Sequence, residues 1–375
     1  MSAPPPVRER EPLSYATRRS PYFERTLEAG AIGFMVYNHT YMPIDYGRDP
    51  VLEYRAMTRG VTLWDVGAER QAQLRGPDAL SFADYLSPRD LLDLAVGRCR
   101  YTPVCDPRGQ VMADCIVLRP FEDTVWYSHS DADISLWAYG LALARAADVE
   151  VQEADVAPLQ LQGPLARSVL APLYDGDLAA LRRFDCAVAD VASVPCVVSN
   201  TGWSKEAGYE IYPLGSERCL ELWDAIVAAG EPHGLLITGP NIVRAVEQGI
   251  TDTQYHVNSG MTALEAGLGP MLQLDGAPFM GREALVAERA RGSRRRTVGL
   301  VAEGPPFPWL EEFWPVLDAR GDPVGVARWA VFSYALAQNI AIALVDSAVG
   351  DDDRLFVRAP DGDRQALVRP IPFVA

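Results

Sequence analysis

Gln73-Leu74-Arg75-Gly76-Pro77-Asp78-Ala79 lies at the centre of a strand–turn–helix unit. Residues 71–75 alternate in polarity as a half-buried strand does. A Gly-Pro turn then precedes a helix predicted over Ala79–Leu86, with Asp78 at the N-cap position. The same pattern returns as Gln160-Leu161-Gln162-Gly163-Pro164-Leu165-Ala166, before a helix predicted over 165–172. This internal echo predicts two related α+β lobes.

The segment between these two units is predicted to be antiparallel β-structure followed by a helix. Strands are expected at 99–104 and 111–118, joined by the turn Asp106-Pro107-Arg108-Gly109, and a third strand at 124–128. A helix is expected over 134–146. This order of elements places a hairpin at the centre of the first lobe.

Downstream of the second unit, two more strands are expected within 187–214 and helices over 216–230 and 240–250. Gly239-Pro240 opens the last helix with proline at its first position. The arginine cluster 289–296 is interpreted as a solvated linker face, and the short strands beyond it predict a small β-barrel or sandwich. The predicted domains are a flexible arm over 1–19, two interleaved lobes over 20–290 (one of them about 60–145) and a barrel domain over 291–375.

Composition narrows the classes of function. The 375 residues carry 50 acidic and 34 basic side chains, a formal net charge of −16, which argues against nucleic acid or an anionic membrane as partner and favours a neutral or cationic ligand. Lys205 is the only lysine, so the Gly-Lys-Ser/Thr of a phosphate-binding loop does not occur. The histidines and cysteines lack metal-ligand spacing, and no leader or long apolar run is seen. We therefore expect a cytoplasmic protein with reduced thiols and no metal.

Tyr101 and Asp114 are the first candidate functional residues. On a hairpin that turns at 107–109, they are predicted to lie at nearly corresponding heights of the two strands. A phenol and a carboxylate could then converge in one pocket. The alternative is structural, because tyrosine and aspartate are common at strand edges.

The loop 200–208 and the strand after it supply a second group of candidates. Alternation after Gly208 puts Glu210 and Tyr212 on one face of that strand. With Trp203 in the loop, rings and a carboxylate on one side suit a flat heterocycle with adjacent N–H donors. The alternative is an aromatic core strand with a solvated glutamate.

From about residue 20 to its end, the sequence resembles the folate-dependent glycine-cleavage T-protein (aminomethyltransferase) family, and more closely its dimethylsulfoniopropionate demethylase branch. The resemblance rests on stretches that match in order and spacing: Leu63-Trp64-Asp65-Val66, 73–79, Tyr101 with Cys105-Asp106 and Asp114, Leu161-Gln162-Gly163-Pro164, 201–210, Leu264-Glu265-Ala266-Gly267-Leu268, 280–285 and 340–345.

The resemblance implies an α+β fold in which two folate-binding α+β lobes and a C-terminal β-barrel form a cloverleaf around tetrahydrofolate. It places the catalytic site at Asp114 and Tyr101, and the folate-binding residues at Trp203, Glu206, Glu210 and Tyr212. The T-protein pattern Thr-Gly-Tyr-Thr-Gly-Glu-Asp-Gly reads Thr201-Gly202-Trp203-Ser204-Lys205-Glu206-Ala207-Gly208 here. This departure leans toward the demethylase branch.

The resemblance therefore leads us to expect an enzyme that transfers a methyl group from a small donor, such as a sulfonium compound, to N5 of tetrahydrofolate. Asp114 would orient the folate and help remove the N5 proton, Tyr101 would hold the donor, and Glu210 would bind the N–H edge of the pterin. An O-methyl donor would need an acid, for which His129 and His256 are the candidates. An aminomethyltransferase and a non-catalytic folate-binding protein remain alternatives, and the chain could form a homodimer.

Overall fold

The structure is a computed structural model that describes residues 17–250 and 260–374. The strands are β1 (Arg18–Arg19), β2 (Gly33–Tyr37), β3 (Thr40–Asp45), β4 (Thr62–Asp65), β5 (Arg70–Arg75), β6 (Arg98–Cys105), β7 (Val111–Phe121), β8 (Thr124–His129), β9 (Glu150–Glu153), β10 (Leu159–Gln162), β11 (Cys186–Val191), β12 (Val194–Ser199), β13 (Gly208–Pro213), β14 (Leu236–Ile237), β15 (Arg295–Ala302), β16 (Trp314–Leu317), β17 (Pro323–Ser333), β18 (Gln338–Asp346), β19 (Arg354–Ala359) and β20 (Gly362–Arg369). The helices are α1 (Phe23–Glu28), α2 (Pro50–Arg59), α3 (Ala79–Leu86), α4 (Ile134–Arg145), α5 (Ala166–Leu170), α6 (Cys219–Gly230), α7 (Ile242–Glu247) and α8 (Arg282–Arg291), with 3-10 turns at Glu231–His233 and Gly269–Met271.

The first lobe is a five-stranded antiparallel sheet in the order β6-β7-β8-β5-β9. Ala72 and Leu74 of β5 lie on its apolar face, which packs under α3 and α4. Gln71 and Gln73 lie on the opposite face, because successive residues of a strand point to opposite sides. The helices leave that polar face open to another part of the protein.

The second lobe repeats this plan in a sheet of order β11-β12-β13-β10-β4-β14, whose apolar face packs under α5 and α6. In each lobe, a strand, a Gly-Pro turn, a helix and three strands follow in the same order. The turn glycines Gly76 and Gly163 have φ of +138° and +123°. A Cβ on Gly163 would lie 2.4 Å from the carbonyl oxygen of Gly60, so only glycine fits there. The echo in the sequence is thus a repeated lobe, and the predicted α+β fold class is confirmed.

The two sheets meet on the faces that the helices leave open. The ring centroids of Trp126 on β8 and Tyr212 on β13 lie 6.1 Å apart, within an apolar cluster between the sheets. Beside that cluster both faces are polar. Gln71 Nε2 donates to Ser128 Oγ over 3.1 Å on one side, and Glu210 lies on the other. Buried polar faces cost free energy unless their groups find partners, so a ligand is expected between them.

The C-terminal unit is a closed barrel in the order β15-β18-β17-β16-β19-β20, with its own apolar core. Helix α7 of the second lobe packs against it. Glu247 at the end of α7 has no exposed surface, and its carboxylate accepts hydrogen bonds from Tyr54 Oη (2.7 Å) and Ser333 Oγ (2.6 Å). Glu247 therefore joins α2, α7 and the barrel.

Two predictions about chain ends and helix starts need correction. Residues 1–16 of the predicted flexible arm lie outside the described residues, but Arg18–Arg19 pairs with β3 beside β2, so the arm does not extend to residue 19. Helix α7 begins at Ile242 rather than Pro240, because the side chain of Asn241 caps it by accepting from the amide of Arg244.

The predicted solvated linker at 289–296 is also wrong at its C-terminal end. Arg295 and Arg296 are the first residues of β15 and pair with Glu265 and Asp351, at 2.7 Å each. All six cysteines are free and buried, as a core role predicts. Among residues 17–250 and 260–374, no helix combines the length and apolar character needed to cross a membrane.

Candidate active site

A cavity of about 1120 Å³ opens between the two sheets and reaches the barrel. The first lobe lines it with Asp114 on β7, the second with Glu210 on β13, and the barrel with Gly299 and Arg369. Ligand pockets commonly measure about 300–1,000 Å³. This one therefore has room for a large ligand and a small one together.

Tyr101 and Asp114 lie on the same wall of the cavity. The hairpin pairs Tyr101 with Ile116 and Pro103 with Asp114, so Asp114 is two residues from the position opposite Tyr101. The two residues thus lie at nearly corresponding heights, as predicted, with an offset of two residues, and residues two apart on a strand share a face. Both side chains line the cavity. The amide of Asp114 donates to Ser130 Oγ over 3.1 Å, which fixes the strand beside the next one.

Glu69 is a further carboxyl group of this wall that the sequence analysis missed. It precedes β5 and lines the cavity. Burial raises the pKa of its carboxyl well above the usual range, the charges of Glu210 and Asp114 raise it further, and a hydrogen bond with Ser128 opposes the rise. The sequence did contain a pattern that identifies Glu69, because alternation along the strand places it with Gln71, on the face opposite Ala72.

Glu210 is the centre of a hydrogen-bond network on the facing wall. Its Oε1 accepts from Gln160 Nε2 at 2.6 Å, and its Oε2 accepts from Tyr212 Oη at 2.9 Å. The hydroxyls of Thr201 and Ser199 also donate to Oε2. Burial raises the pKa of the Glu210 carboxyl, and these donors oppose the rise because they stabilise the carboxylate.

Gln160 carries an unsatisfied atom at the same place. The residue is 1% exposed and lines the cavity beside Glu210. Its Oε1 has no hydrogen-bond partner within the described part of the chain. A ligand N–H group placed at Glu210 would find a second acceptor there.

Tyr212 does not line the cavity, contrary to the expected pterin contact. Its ring has no exposed surface and packs against Trp126. Only its hydroxyl reaches toward the site, through the bond to Glu210. The parity of the strand was read correctly, but sequence could not show that a ring from the other lobe covers this position.

Trp203 and Glu206 both line the cavity from the loop before β13. The ring centroid of Trp203 lies 6.0 Å from that of Trp329 in the barrel, so this loop touches both domains. One oxygen of Glu206 is held by Arg244 at 2.7 Å. Glu206 therefore enters the site as an ion-paired carboxylate.

The lining of the cavity also contains several basic residues, despite the acidic net charge. Its lining includes Arg89, Arg183, Lys205, Arg296 and Arg369. Arg183 and Arg369 are exposed, and within residues 17–250 and 260–374 neither forms an ion pair. These residues lie far apart along the chain, so composition alone could not show that they line one cavity that suits an anionic group of a ligand.

His129 lines the cavity as a neutral side chain. It is 1% exposed, and burial lowers its pKa to about 4. At neutral pH it carries no proton that it could give to a leaving group. His256, the other candidate acid, lies outside the described residues.

Comparison with known proteins extends over nearly the whole chain. The model of the GCVT N-terminal domain matches residues 22–276, and that of the glycine cleavage T-protein C-terminal barrel domain matches residues 295–374. A dimethylsulfoniopropionate demethylase of Ruegeria pomeroyi is 34% identical over 357 residues, which is 95% of this chain and 97% of the relative. An aminomethyltransferase of Frankia alni is 33% identical over 369 residues, covering 95% of this chain and 98% of its own.

The solved structures give the same architecture. The aminomethyltransferase T of the Bartonella henselae glycine cleavage system superimposes with a TM-score of 0.84 at 22% identity, covering 95% of this chain and 98% of that one. At this identity the likeness shows the fold. It agrees with the paired lobes and the closed barrel described above.

Proposed function

The chain belongs to the glycine cleavage T-protein family, and we propose that within it this protein moves a methyl group from a small cationic donor to tetrahydrofolate. Tetrahydrofolate is the cofactor that this family uses. One observation carries the proposal: a single cavity joins the hydrogen-bonded carboxylate of Glu210 to a facing wall that holds Asp114 and Tyr101. The Glu210 carboxylate suits the N–H edge of a pterin, and the wall with Asp114 and Tyr101 suits the methyl transfer.

The residues of the cavity fit a reduced folate. Glu210 and the unpartnered Oε1 of Gln160 present adjacent acceptors to the N–H edge of a pterin. Trp203 offers an aromatic surface beside them. The guanidinium groups of Arg183 and Arg369, which form no ion pair with another described residue, suit the carboxylates at the other end of the folate. The presence of acceptors, an aromatic surface and guanidinium groups in one cavity supports folate as the large ligand.

A cationic donor fits the remaining space better than an ether. Asp114, Glu69 and Glu210 line the cavity with carboxyl groups, and Tyr101 adds an aromatic face that attracts a cation. A sulfonium donor leaves as a neutral thioether and needs no acid. An O-methyl donor needs one, and His129 with its pKa of about 4 cannot serve at neutral pH.

In this proposal the side chains act mainly by positioning. Bound tetrahydrofolate supplies N5 as the nucleophile. Glu210 and Gln160 orient the pterin, Tyr101 holds the donor, and Asp114 orients the folate and accepts the proton that methylation releases. Holding two reactants in line can lower a barrier by roughly 7–11 kcal/mol, so no stronger nucleophile is needed.

The test is Asp114→Asn, which keeps the shape of the side chain and removes the proton acceptor. We expect affinity for tetrahydrofolate within about threefold of the parent and a fall in turnover of roughly 10²–10⁴, the usual range for a general base. Asp123→Asn, an exposed change in the turn after β7, is the matched control. Folate binding is measured by fluorescence titration, and 5-methyltetrahydrofolate by mass spectrometry.

Two outcomes would contradict the proposal. If glycine-derived aminomethyl donors yield methylenetetrahydrofolate while methylated cations yield nothing, the protein is an aminomethyltransferase like its relative in Frankia alni. If folate binds and no donor reacts even with the parent, it is a folate-binding protein without catalysis.

A further inference from the structure

Carboxyl groups from the two facing sheets line the cavity at Glu69, Asp114 and Glu210, and Glu69 is the one to which the proposed transfer step assigns no task. Arg70 pairs with His129, and His129 pairs with Cys115. The neighbouring positions Glu69, Ser130 and Asp114 therefore lie side by side on the polar face, with one strand between the two acids. At about 4.8 Å per strand, their Cα atoms are roughly 10 Å apart.

Within residues 17–250 and 260–374, no positively charged side chain pairs with Glu69. Arg70, the next residue, points to the opposite face and is bound to Glu153 at 2.5 Å. The described groups that interact with Glu69 are Asp114 on β7, Glu210 and Tyr212 on β13 and the hydroxyl of Ser128 on β8. His129 on β8 is neutral.

Glu210 and Glu69 differ in how they can hold a charge. Four side-chain donors hold Glu210 as a carboxylate. Glu69 has one such partner, Ser128, whose oxygen already accepts from Gln71. Burial and the two neighbouring acids raise the pKa of Glu69 well above its usual range, and Glu69 has fewer side-chain donors than Glu210 to oppose that rise.

We propose that Glu69 is the charge-compensating acid of the site: it holds a proton while the cavity is empty and releases it to solvent when a cationic methyl donor binds. The inference rests on the proposed function for the charge of the donor. Glu69 is partly exposed to the cavity, so a cation can reach it. The unpartnered Oε1 of buried Gln160 independently marks this region as built for a ligand.

Protons and charges balance over a turnover. When the donor binds, its positive charge replaces the proton of Glu69. In the transfer the bond from sulfur to the methyl carbon breaks with its electron pair going to sulfur, and the N5 lone pair forms the new bond. Asp114 accepts the one proton that methylation of N5 releases and passes it to Glu69. The site returns to its starting charge.

Proton release is measured by calorimetry, without turnover. Dimethylsulfoniopropionate is titrated into the full chain without folate at pH 7, in buffers of different ionisation enthalpy. We expect about one proton released per donor bound by the parent and close to none by Glu69→Gln. Between pH 6 and 7 the parent's Kd should fall about tenfold, while that of Glu69→Gln stays flat.

The controls separate this inference from the proposed function. Glu122→Gln, an exposed change of the same kind, should release protons like the parent. Methylthiopropionate, which keeps the carboxylate but has a neutral thioether in place of the sulfonium group, should bind without release. If the sulfonium compound does not bind at all, the proposed function fails. If it binds and releases no proton, or Glu69→Gln releases as many as the parent, the role of Glu69 is wrong. The parent could also turn over neutral ether donors faster than sulfonium donors. If Glu69→Gln abolishes that turnover, Glu69 is an acid catalyst and the inference is overturned.

Discussion

Replacing Tyr212 with phenylalanine separates the two roles that this side chain could have. The resemblance implied that its ring contacts the pterin, whereas the structure buries the ring against Trp126 and leaves the hydroxyl bonded to Glu210 at 2.9 Å. Phenylalanine keeps the ring and removes the hydroxyl. A ring that contacts folate would make this substitution nearly silent, and a hydroxyl that supports Glu210 would not.

The magnitude follows from the hydrogen bond that is lost. A bond to a buried charged group contributes about 1.5–3 kcal/mol. Its loss raises the pKa of the Glu210 carboxyl further, because one donor that stabilises the carboxylate is gone. Because the pterin edge binds the ionised form, the Kd for tetrahydrofolate at pH 7 should rise, by up to roughly 100-fold if the full energy of the bond is lost. The unchanged contact with Trp126 keeps the fold intact.

The assay is fluorescence titration of the full chain with tetrahydrofolate under anaerobic conditions, from pH 6 to 8.5. The weakening in Tyr212→Phe should diminish as the pH rises, since Glu210 then ionises without help. Tyr209→Phe is the matched control, because Tyr209 is on the same strand but faces the apolar core of its own lobe. Affinity of Tyr212→Phe equal to that of the parent at every pH would refute the reasoning.

Three further predictions concern other buried ionisable side chains, His129, Glu247 and Asp65. His129→Gln should leave the pH profile of kcat/KM unchanged between pH 6 and 8, because the pKa of His129 is already about 4; a limb that disappears in the variant would contradict this. Glu247→Ala should lower the free energy of unfolding by about 3–5 kcal/mol in urea titrations, because it leaves buried partners unpaired, while Glu283→Ala on exposed α8 changes it little. The pKa of Asp65 is about 6 in the folded state and about 3.9 unfolded, so folding takes up a proton between these values and the parent gains stability as the pH falls through them. The advantage of Asp65→Asn over the parent should therefore shrink by about 2 kcal/mol from pH 7.5 to 4.5, and a pH-independent difference would contradict the shift.

The repeated lobe was predictable because local sequence patterns specify it. The two Gly-Pro turns have backbone angles that only glycine adopts easily, and the strands before them alternate in polarity. The hairpin likewise placed Tyr101 and Asp114 on one face, although a register offset of two residues could not be read from the turn alone.

What sequence could not show is which residues from distant segments share the cavity. Trp126 covers Tyr212 only because the two sheets face each other. Arg183 and Arg369 line the same cavity only because the fold brings different domains to it. The alternation that continues into β5 could have identified Glu69 as a residue of the polar face. That no described positive side chain pairs with it depends on the fold. Long-range packing and electrostatics therefore account for most of the corrections.

Transfer of an intact methyl group tests the central claim most directly. The full chain is incubated with tetrahydrofolate and dimethylsulfoniopropionate whose S-methyl groups are deuterated, and the folate products are read by mass spectrometry. The account predicts 5-methyltetrahydrofolate with a fully deuterated methyl group, formed by the parent and nearly lost in Asp114→Asn. Bound folate that stays unmethylated with this and other methylated cations would contradict it.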